Sequence, residues 1–306
     1  MITVVNLNPC LDWSWQIGDF TPGGMNRVQS TRADVAGKGI NVCMALKNLG
    51  ADPLCLGFNF TENGSAITHK LDEMAIRHDF VRVKGAVRIN IKLYDNAGAM
   101  TELNQAGAFV ADSAQAVLFE KIMSWQEGRE GGLLVLSGSR PANVPADFYA
   151  RICNAWQGRV ILDTEGEALK LALAQDNPPF LLKPNLFELE STFNIKLPTH
   201  DAIIEFARTF IARGVKMVCV SMGARGAIFI TDAESIFAPA YRLDVKAVQG
   251  AGDAMVAGLA LALTDGITAP KDLLHHAMAA AAATVTREGT QMCDRAGFEH
   301  FLCASS

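Results

Sequence analysis

Apolar runs of strand length alternate with longer segments of helical period along most of the chain. Short runs that are apolar throughout are typical of parallel strands covered on both faces, so the alternation predicts an α/β fold with a mainly parallel central sheet. The most regular helical pattern covers residues 199–213 and ends before Gly214, a typical C-cap. The predicted strands are residues 2–6, 54–58, 133–137, 160–163, 180–183 and 217–221.

Two segments, residues 12–34 and 87–103, do not follow this alternation. They are strand-like and contain turn residues, with no helical segment between their strands. From Arg88 to Tyr94 polar and apolar residues alternate, as in a strand with one face in water. We expect the two segments to pair into a small sheet that projects from a single domain, residues 1–306, because no repeat or linker marks a second domain.

Composition narrows the classes of function. The 27 Lys and Arg against 32 Asp and Glu give a formal net charge of −5, which argues against a dispersed basic surface for nucleic acid. The seven cysteines have neither C-x-x-C pairing nor a histidine at metal-ligand spacing, so we interpret them as reduced core thiols. Because the chain begins without a signal-like segment and lacks an apolar run of bilayer length, we expect a cytoplasmic protein.

The string from Val248 to Asp253 contains two glycines and leads directly into an apolar helical segment. Gly250 and Gly252 allow the backbone to turn sharply and expose N–H groups at a helix N-terminus, where the helix dipole favours an anion. From the first turn, Asp253 is able to take a proton from a hydroxyl that attacks this anion. A helix start with a capping aspartate is the plainer interpretation of the string alone.

A second glycine-rich helix start lies at residues 36–42 and includes Gly37, Lys38 and Asn41. Its glycine spacing fits neither a Walker phosphate loop nor the G-x-G-x-x-G dinucleotide motif. A cation and an amide at a helix N-terminus suit a polar, phosphorylated small molecule. A packed turn accounts equally well for this string in isolation.

A third string begins at Lys183, after a buried run, where open α/β sheets place their ligands. Asn185 and Glu188 are three residues apart and would share one face of a helix. Their oxygens suit a hydrated Mg²⁺ ion. The same N-x-x-E spacing is that of a helix capping box, and the two roles are compatible.

Small polar residues follow other predicted strands at the same sheet edge. They are Ser137, Gly138 and Ser139; Asp163 and Thr164; and Ser221, Gly223 and Gly226. In the projecting sheet, Arg88 and Lys92 lie on the same face, because side chains two and four residues apart in a strand share a face. This face is either a basic surface in water or the edge of a lid above an anionic substrate. The histidines show no spacing of metal ligands, and no nucleophile elbow indicates a hydrolase triad.

Taken together and in this order, these strings resemble the ribokinase-like (PfkB-type) carbohydrate kinases, most closely the 1-phosphofructokinase and tagatose-6-phosphate kinase branch. The resemblance covers about the whole chain, and joint agreement of many strings is far more specific than any one of them. The strings that carry it begin at Asn8, Ala36, Arg88, Glu102, Ser137, Lys183, Ser221 and Gly250.

The resemblance implies a three-layer α/β domain with a β-sheet lid that often forms the dimer contact in this branch. It implies that Asp253 is the base for the sugar hydroxyl, and that the amides of the catalytic turn, Gly250, Ala251 and Gly252, stabilise the transferred phosphoryl group. The residues implied to hold the sugar and its phosphate are Asp12, Arg27, Gly37, Lys38, Asn41, Arg88, Ser137, Gly138 and Ser139. Those implied for ATP are Lys183, Asn185, Ser221, Gly223 and Gly226, with Glu188 for Mg²⁺.

By this resemblance we expect an ATP-dependent kinase of a ketose phosphate, fructose 1-phosphate or tagatose 6-phosphate first and fructose 6-phosphate or another sugar next. The expected partners are the sugar phosphate and a second copy bound through the lid, but neither nucleic acid nor a membrane. Ala36, Val248-Gln249 and Arg140 depart from the family's usual residues, and Arg140 would add positive charge beside the sugar-phosphate pocket. The rival classes are a sensor without turnover, which the retained Asp253 disfavours, and an oxidoreductase, whose Rossmann fingerprint is missing.

Overall fold

Strands from both halves of the chain form two sheets. A computed structural model describes residues 1–126 and 132–304. The strands of these residues are Ile2–Asn6 (β1), Cys10–Ile17 (β2), Val28–Ala36 (β3), Leu54–Glu62 (β4), Arg77–Ala86 (β5), Arg88–Tyr94 (β6), Met100–Asn104 (β7), Leu133–Ser137 (β8), Arg159–Asp163 (β9), Leu181–Leu182 (β10), Met217–Ser221 (β11), Ala227–Ile230 (β12) and Ser235–Ala238 (β13).

Ten α-helices connect and flank these strands within the described ranges. They are Lys38–Asn48 (α1), Gly64–Glu73 (α2), Asp112–Ser124 (α3), Phe148–Ala155 (α4), Gly166–Leu173 (α5), Leu186–Phe193 (α6), His200–Ile211 (α7), Ala251–Thr264 (α8), Pro270–Val285 (α9) and Arg295–Cys303 (α10). A single 3-10 turn lies at Gly223–Arg225.

The main sheet has nine strands in the order β13-β12-β11-β10-β9-β8-β1-β4-β5. Neighbours from β11 to β5 are parallel, and only β12 and β13 run antiparallel at one edge. Helices pack on both sides of the sheet, which confirms the predicted α/β class. Strands β1 and β8 are buried at every residue because helices cover both of their faces.

The predicted strands are all present, although several bounds differ. The predicted strand at 180–183 is reduced to the two residues Leu181–Leu182, and the one at 54–58 continues to Glu62. Strands β5, β12 and β13 were not predicted from the sequence. The helix expected at 199–213 ends at Ile211, and the Thr199 hydroxyl caps it by accepting from the Ala202 N–H at 3.1 Å.

The second sheet, which we call the lid, has four strands in the order β3-β2-β6-β7. The two unusual segments of the sequence do pair, because β2 and β6 lie side by side in parallel from Cys10↔Arg88 to Gln16↔Tyr94. The outer pairs, β2 with β3 and β6 with β7, are antiparallel. The period of two gives the lid one polar face, with Asp12 and Asn90, and one apolar face, with Trp13 and Ile91.

The interpretation of the cysteines as core thiols is correct for six of the seven. Cys303, near the end of α10, is exposed, so this part of the interpretation is wrong. Its position on the outer helix explains the difference, because that helix buries only Phe298.

Candidate active site

The glycine turn before α8 has the geometry that the sequence predicts. Gly250 is the N-cap of α8 and has φ = +77°, a left-handed value that glycine adopts without a steric penalty. The N–H groups of the next residues lie in the first turn, where a helix leaves its donors without intrahelical partners. Asp253 also lies in this turn and is 7% exposed. The turn therefore places the Gly252 N–H and the Asp253 carboxyl group in the same first turn, while the Ala251 N–H donates to the Val248 carbonyl at 3.5 Å.

Asp253 has a proton affinity suited to acid–base chemistry at neutral pH. Its Oδ2 accepts a hydrogen bond from Asn41 Nδ2 at 2.7 Å. Burial, and then the negative charge of Asp163, raise the pKa of Asp253 to about 7, against the opposing effects of Lys38, Asn41 and Lys183. A carboxyl group in this range is able to act as a general base.

Two lysines and two further carboxylates form a charge cluster beside Asp253. Lys38 Nζ lies 2.9 Å from Glu188 Oε1 and 3.6 Å from Asp163 Oδ1. Lys183 Nζ lies 3.3 Å from the same Asp163 oxygen, and the Ser137 hydroxyl donates to Asp163 Oδ2 at 3.1 Å. Although burial opposes its charge, the surrounding carboxylates, Asp163 first, hold the pKa of Lys38 well above its usual range.

Three helix N-termini meet at this cluster. Lys38 is the first residue of α1, Asn185 is the N-cap of α6, and Gly250 is the N-cap of α8. A methyl group built on Gly252 would lie 3.4 Å from Lys183 Nζ, so this ammonium group lies against the catalytic turn. Helix N-termini and ammonium groups together favour a multiply charged anion here.

The string from Asn185 to Glu188 forms the capping box that its N-x-x-E spacing indicates. Asn185 Oδ1 accepts from the Glu188 N–H at 2.7 Å, and Glu188 Oε2 accepts from the Asn185 N–H at 2.8 Å. The other carboxylate oxygen of Glu188 is paired with Lys38. The cap therefore fixes the Glu188 side chain so that one oxygen faces the cluster.

The lid supplies a second group of polar side chains. Asp12 Oδ2 lies 2.7 Å from Lys92 Nζ, and Asp12 Oδ1 accepts from Asn90 Nδ2 at 3.0 Å. Arg88 donates to Asn90 Oδ1 at 3.1 Å. Lys92 is only 6% exposed, so it is not part of a solvated basic face.

Hydrogen bonds link the lid to the main sheet through Asn8. Arg88 Nε donates to the Asn8 carbonyl at 3.3 Å, and Asn8 Nδ2 donates to Ser139 Oγ at 3.2 Å. A methyl group built on Gly138 would lie 3.3 Å from Lys38 Cβ, which places this loop against the charge cluster. The two groups of side chains thus belong to one continuous site.

Comparison with known proteins identifies the family. A family model described as pfkB family carbohydrate kinase matches residues 6–296. The chain belongs to this family. A 1-phosphofructokinase of Borreliella burgdorferi is 33% identical over 306 residues, which cover 99% of this kinase and 97% of the relative. A 1-phosphofructokinase of Bacillus subtilis is 36% identical over 84% of each chain.

Solved structures agree with this assignment. Phosphofructokinase-2 from Escherichia coli in complex with fructose-6-phosphate has a TM-score of 0.89 at 26% identity, over 99% of this chain and 98% of that one. The fold is thus the ribokinase-like fold. This chain is a sugar-phosphate kinase, a phosphotransferase of carbohydrate metabolism, and its family uses ATP as co-substrate.

The segment of residues 221–226 lies next to the Asn185 cap. The Ser221 N–H donates to the Pro184 carbonyl at 3.1 Å, so the ends of β10 and β11 are adjacent. Gly223 (φ = +59°) begins the 3-10 turn, and Gly226 (φ = +101°) ends it. A methyl group on Gly226 would lie 2.0 Å from the Ala238 carbonyl oxygen, so this turn passes close to β13.

Two residues named from the sequence are not joined to the site of this kinase. Arg27 lies in the exposed loop before β3, and within the described ranges no hydrogen bond or ion pair links it to the cluster. Arg140 donates to the carbonyls of Val144 and Ala142 in its own loop. Their proposed roles stay predictions.

Sequence reasoning missed the central position of Asp163. It was noted only as a polar residue after a strand, yet it contacts Lys38, Lys183 and Ser137. An acidic residue that ends an otherwise apolar run was the available signal, because burial of an unpaired carboxylate is costly. Asn8 was named only within a resembling string, and its bond to Ser139 depends on the tertiary fold.

A cavity of the kinase, about 360 Å³ in volume, opens between β3, α1, α2 and residues 287–292, and its walls include Arg32, Met44 and Met292. None of the helices in the described ranges has both the length and the apolar character needed to cross a bilayer.

Proposed function

We propose that this kinase transfers the γ-phosphoryl group of ATP to fructose 1-phosphate, with Asp253 as the general base. The observation that carries the proposal is the buried Asp253 carboxyl in the first turn of α8, directly after the half-buried glycine turn, where burial and Asp163 raise the pKa of Asp253 to about 7. Fructose 1-phosphate is the first choice because the relatives at 33–36% identity are named 1-phosphofructokinase. Tagatose 6-phosphate and fructose 6-phosphate are the alternatives.

The proposed reaction begins with removal of a proton. Asp253 takes the proton of the attacking sugar hydroxyl, and Asn41 orients the carboxylate through the bond to Oδ2. The amides of the catalytic turn, Gly250, Ala251 and Gly252, then donate to the oxygens of the transferred group. Phosphoryl transfer needs alignment and neutralisation of charge more than covalent participation by the protein, and this turn supplies both.

The sugar phosphate is proposed to bind between the lid and the charge cluster. Asp12 accepts hydrogen bonds from sugar hydroxyls, and Arg88 with Ser139 binds the phosphate that the sugar already carries. Lys38 was expected to contact this phosphate. Its pairing with Glu188 and Asp163 instead supports a role at the phosphates of ATP, next to Lys183.

The carboxylates of the cluster fit a Mg²⁺ ion. Asp163 Oδ1 is buried and lies 3.3 Å from Lys183 Nζ and 3.6 Å from Lys38 Nζ, and Glu188 presents a carboxylate oxygen to the same Lys38 ammonium group. Both are hard oxygen ligands of the kind Mg²⁺ prefers, although the described ranges contain no cluster of three such ligands. We propose that Glu188, with Asp163, holds Mg²⁺, which neutralises charge on the ATP phosphates when bound.

The proposal extends to the state of the molecule in the cell. We infer a homodimer formed through the lid and a cytoplasmic location, where ATP and phosphorylated sugars are available. The first follows from the resemblance to the branch and is supported by the exposed apolar residues of the lid, and the second agrees with the supply of both substrates in that compartment.

The test is an ADP-release assay with ATP, Mg²⁺ and a panel of phosphorylated and unphosphorylated ketoses. We expect fructose 1-phosphate to give the highest kcat/KM. Asp253→Asn removes the base while keeping the size of the side chain, so kcat should fall roughly 100- to 10,000-fold. Asp265→Asn is the matched control, because Asp265 is an exposed aspartate at the other end of the same helix.

Other outcomes of this assay would contradict particular parts of the proposal. Equal background rates for the unmodified enzyme and Asp253→Asn, with sugar phosphate still bound, would indicate a sensor rather than a kinase with this base. Turnover of unphosphorylated ketoses alone would exclude the proposed contact of Arg88 with a substrate phosphate.

A further inference from the structure

The lid contains a buried ion pair that the proposed reaction does not use directly. Lys92 Nζ lies 2.7 Å from Asp12 Oδ2, and the two residues are only 6% and 7% exposed. They come from neighbouring parallel strands, with Asp12 opposite Asn90 and Ser14 opposite Lys92. The period of two along β6 places Asn90 and Lys92 on the same face as Asp12.

Every oxygen of the Asp12 carboxylate has a donor from the lid. Lys92 contacts Oδ2, while Asn90 Nδ2 and Cys10 Sγ donate to Oδ1 at 3.0 and 3.4 Å. Asn90 also accepts from Arg88, so the carboxylate and the guanidinium group are connected through one amide. The donors come from both β2 and β6, so a rotation of the carboxylate would break at least one of these contacts.

Stability alone does not account for this arrangement. Removing two charges from water costs free energy that their attraction often fails to recover, and apolar pairs of similar size are commonly as stable. A carboxylate that must bind a ligand at a sheet edge, however, needs a fixed orientation and a permanent counter-charge. Lys92 supplies both from within the same sheet.

We propose that Lys92 is a positioning residue for sugar binding: it holds the Asp12 carboxylate in the orientation that accepts the sugar hydroxyls. The inference rests on the proposed function, because Asp12 is taken there to bind the sugar. Lys92 itself does not touch the substrate. Its effect passes entirely through Asp12, and this distinguishes it from a second substrate-binding cation.

The experiment compares Lys92→Met, Lys92→Arg and Asp12→Asn with the unmodified enzyme. We measure kcat, the KM values of fructose 1-phosphate and ATP, and the dissociation constant of the sugar phosphate from isothermal titration calorimetry. Lys92→Met should raise the KM and the dissociation constant of the sugar phosphate roughly 10- to 100-fold, with the KM of ATP unchanged. Lys92→Arg keeps the charge and should recover part of this loss.

A double variant separates positioning from direct binding. In the Asp12→Asn background, Lys92→Met should change sugar-phosphate affinity less than about 3-fold, because the carboxylate that it orients is already gone. An equally large effect in both backgrounds would overturn the proposal and make Lys92 a direct ligand. The double variant leaves no unpaired charge buried at this pair, so it should fold even if Lys92→Met alone does not. Its sugar-phosphate affinity can then be compared with that of Asp12→Asn.

Three further outcomes would also count against the proposal. Unchanged sugar affinity in Lys92→Met would show that Asp12 needs no such support. A fall in kcat with an equal rise in both KM values, together with a lower melting temperature, would show a structural role only. Lys84→Met, at an exposed position of β5, is the control for the loss of a lysine. If the unmodified enzyme turned over no sugar phosphate, the proposed function would fail first, and the role of Lys92 with it.

Discussion

At the scale of single residues, the surroundings of Asp253 explain how one carboxyl group acquires a pKa near neutrality. Burial and the neighbouring Asp163 raise its pKa from the ordinary 3.8 to about 7, while Lys38, Asn41 and Lys183 limit the rise. A more basic carboxylate is a better proton acceptor, but it is protonated over a wider pH range. A pKa near neutrality is the compromise between these two requirements.

This balance predicts a dependence of rate on pH. The base is active when ionised, so kcat/KM should rise with pH and reach half its maximum near pH 7. Well below this midpoint, kcat/KM should fall about tenfold for each pH unit. Asp163→Asn removes the negative charge that opposes ionisation of Asp253, so the midpoint should move to lower pH. Steady-state rates from pH 5 to 9 would test both statements.

A second source of such a limb is ionisation of the substrate phosphate. That limb would keep its midpoint in Asp163→Asn, whereas a limb due to Asp253 would not. A profile that is flat between pH 5 and 8 would contradict the assignment of Asp253 as a base with a raised pKa. Asp265→Asn should leave the profile of the unmodified enzyme intact.

At the scale of elements, the packing of β1 against β4 depends on one glycine. Gly57 is paired with Asn6 across the two strands and has φ = +149°. A methyl group built there would lie 1.9 Å from the Asn6 carbonyl oxygen. Since this atom belongs to the backbone of a buried strand, it has little freedom to move.

We therefore predict that Gly57→Ala lowers the free energy of unfolding by about 3 kcal/mol, from overpacking combined with an unfavourable φ. Gly266→Ala is the control, because Gly266 also has a positive φ of +83° but no atom within 4 Å of the added methyl. It should cost about 1 kcal/mol, from backbone strain alone. Urea denaturation of both variants measures the difference, and equal losses would show that the strand contact is not limiting.

The elements that the sequence predicts best are those with strong burial on both faces. Strands β1, β8 and β11 were placed at their observed bounds because their runs are almost entirely apolar. Strand β5 was missed because it mixes charged and apolar residues at the sheet edge, and β12 because four residues are too short for a periodic signal. The polar residues that follow the strands can be identified from the sequence. The pairing of Lys38 with Glu188, 150 residues away, cannot, because it depends on the tertiary fold.

At the scale of the whole molecule, the candidate site joins two parts, and we propose that they bind different parts of the substrate. The edge of the main sheet carries Asp253 and the charge cluster, whereas the lid carries Asp12 and Arg88. The bond from Arg88 to the Asn8 carbonyl ties the lid strands to the loop after β1. A change in the position of the lid would therefore affect the proposed sugar-binding residues Asp12 and Arg88 more directly than the glycine turn before α8.

The other face of the lid leads to a prediction about assembly. An apolar row crosses the sheet from Trp13 through Ile91 to Leu103, and Leu103 at its end is 54% exposed. Trp13 at the other end of the row is half-buried and packs against the main core, whereas Val28 and Met100 on other lid strands are exposed like Leu103, and exposed apolar residues on one small sheet are typical of a surface that a partner covers. We infer that a second copy covers it, because a twofold contact would pair the same residues with themselves.

We expect the unmodified protein to sediment at micromolar concentration with twice the chain mass of 32.9 kDa. Leu103→Asp should sediment as a single chain. The introduced carboxylate would lose its hydration in an apolar contact without gaining a partner. Val117→Asp is the control, since Val117 is 53% exposed on α3, outside the lid. A monomeric unmodified protein, or a dimer that Leu103→Asp leaves intact, would rule out assembly through this face. Because Asp12 and Arg88 occupy the opposite face of the same thin sheet, loss of the dimer should also raise the KM of the sugar phosphate more than that of ATP.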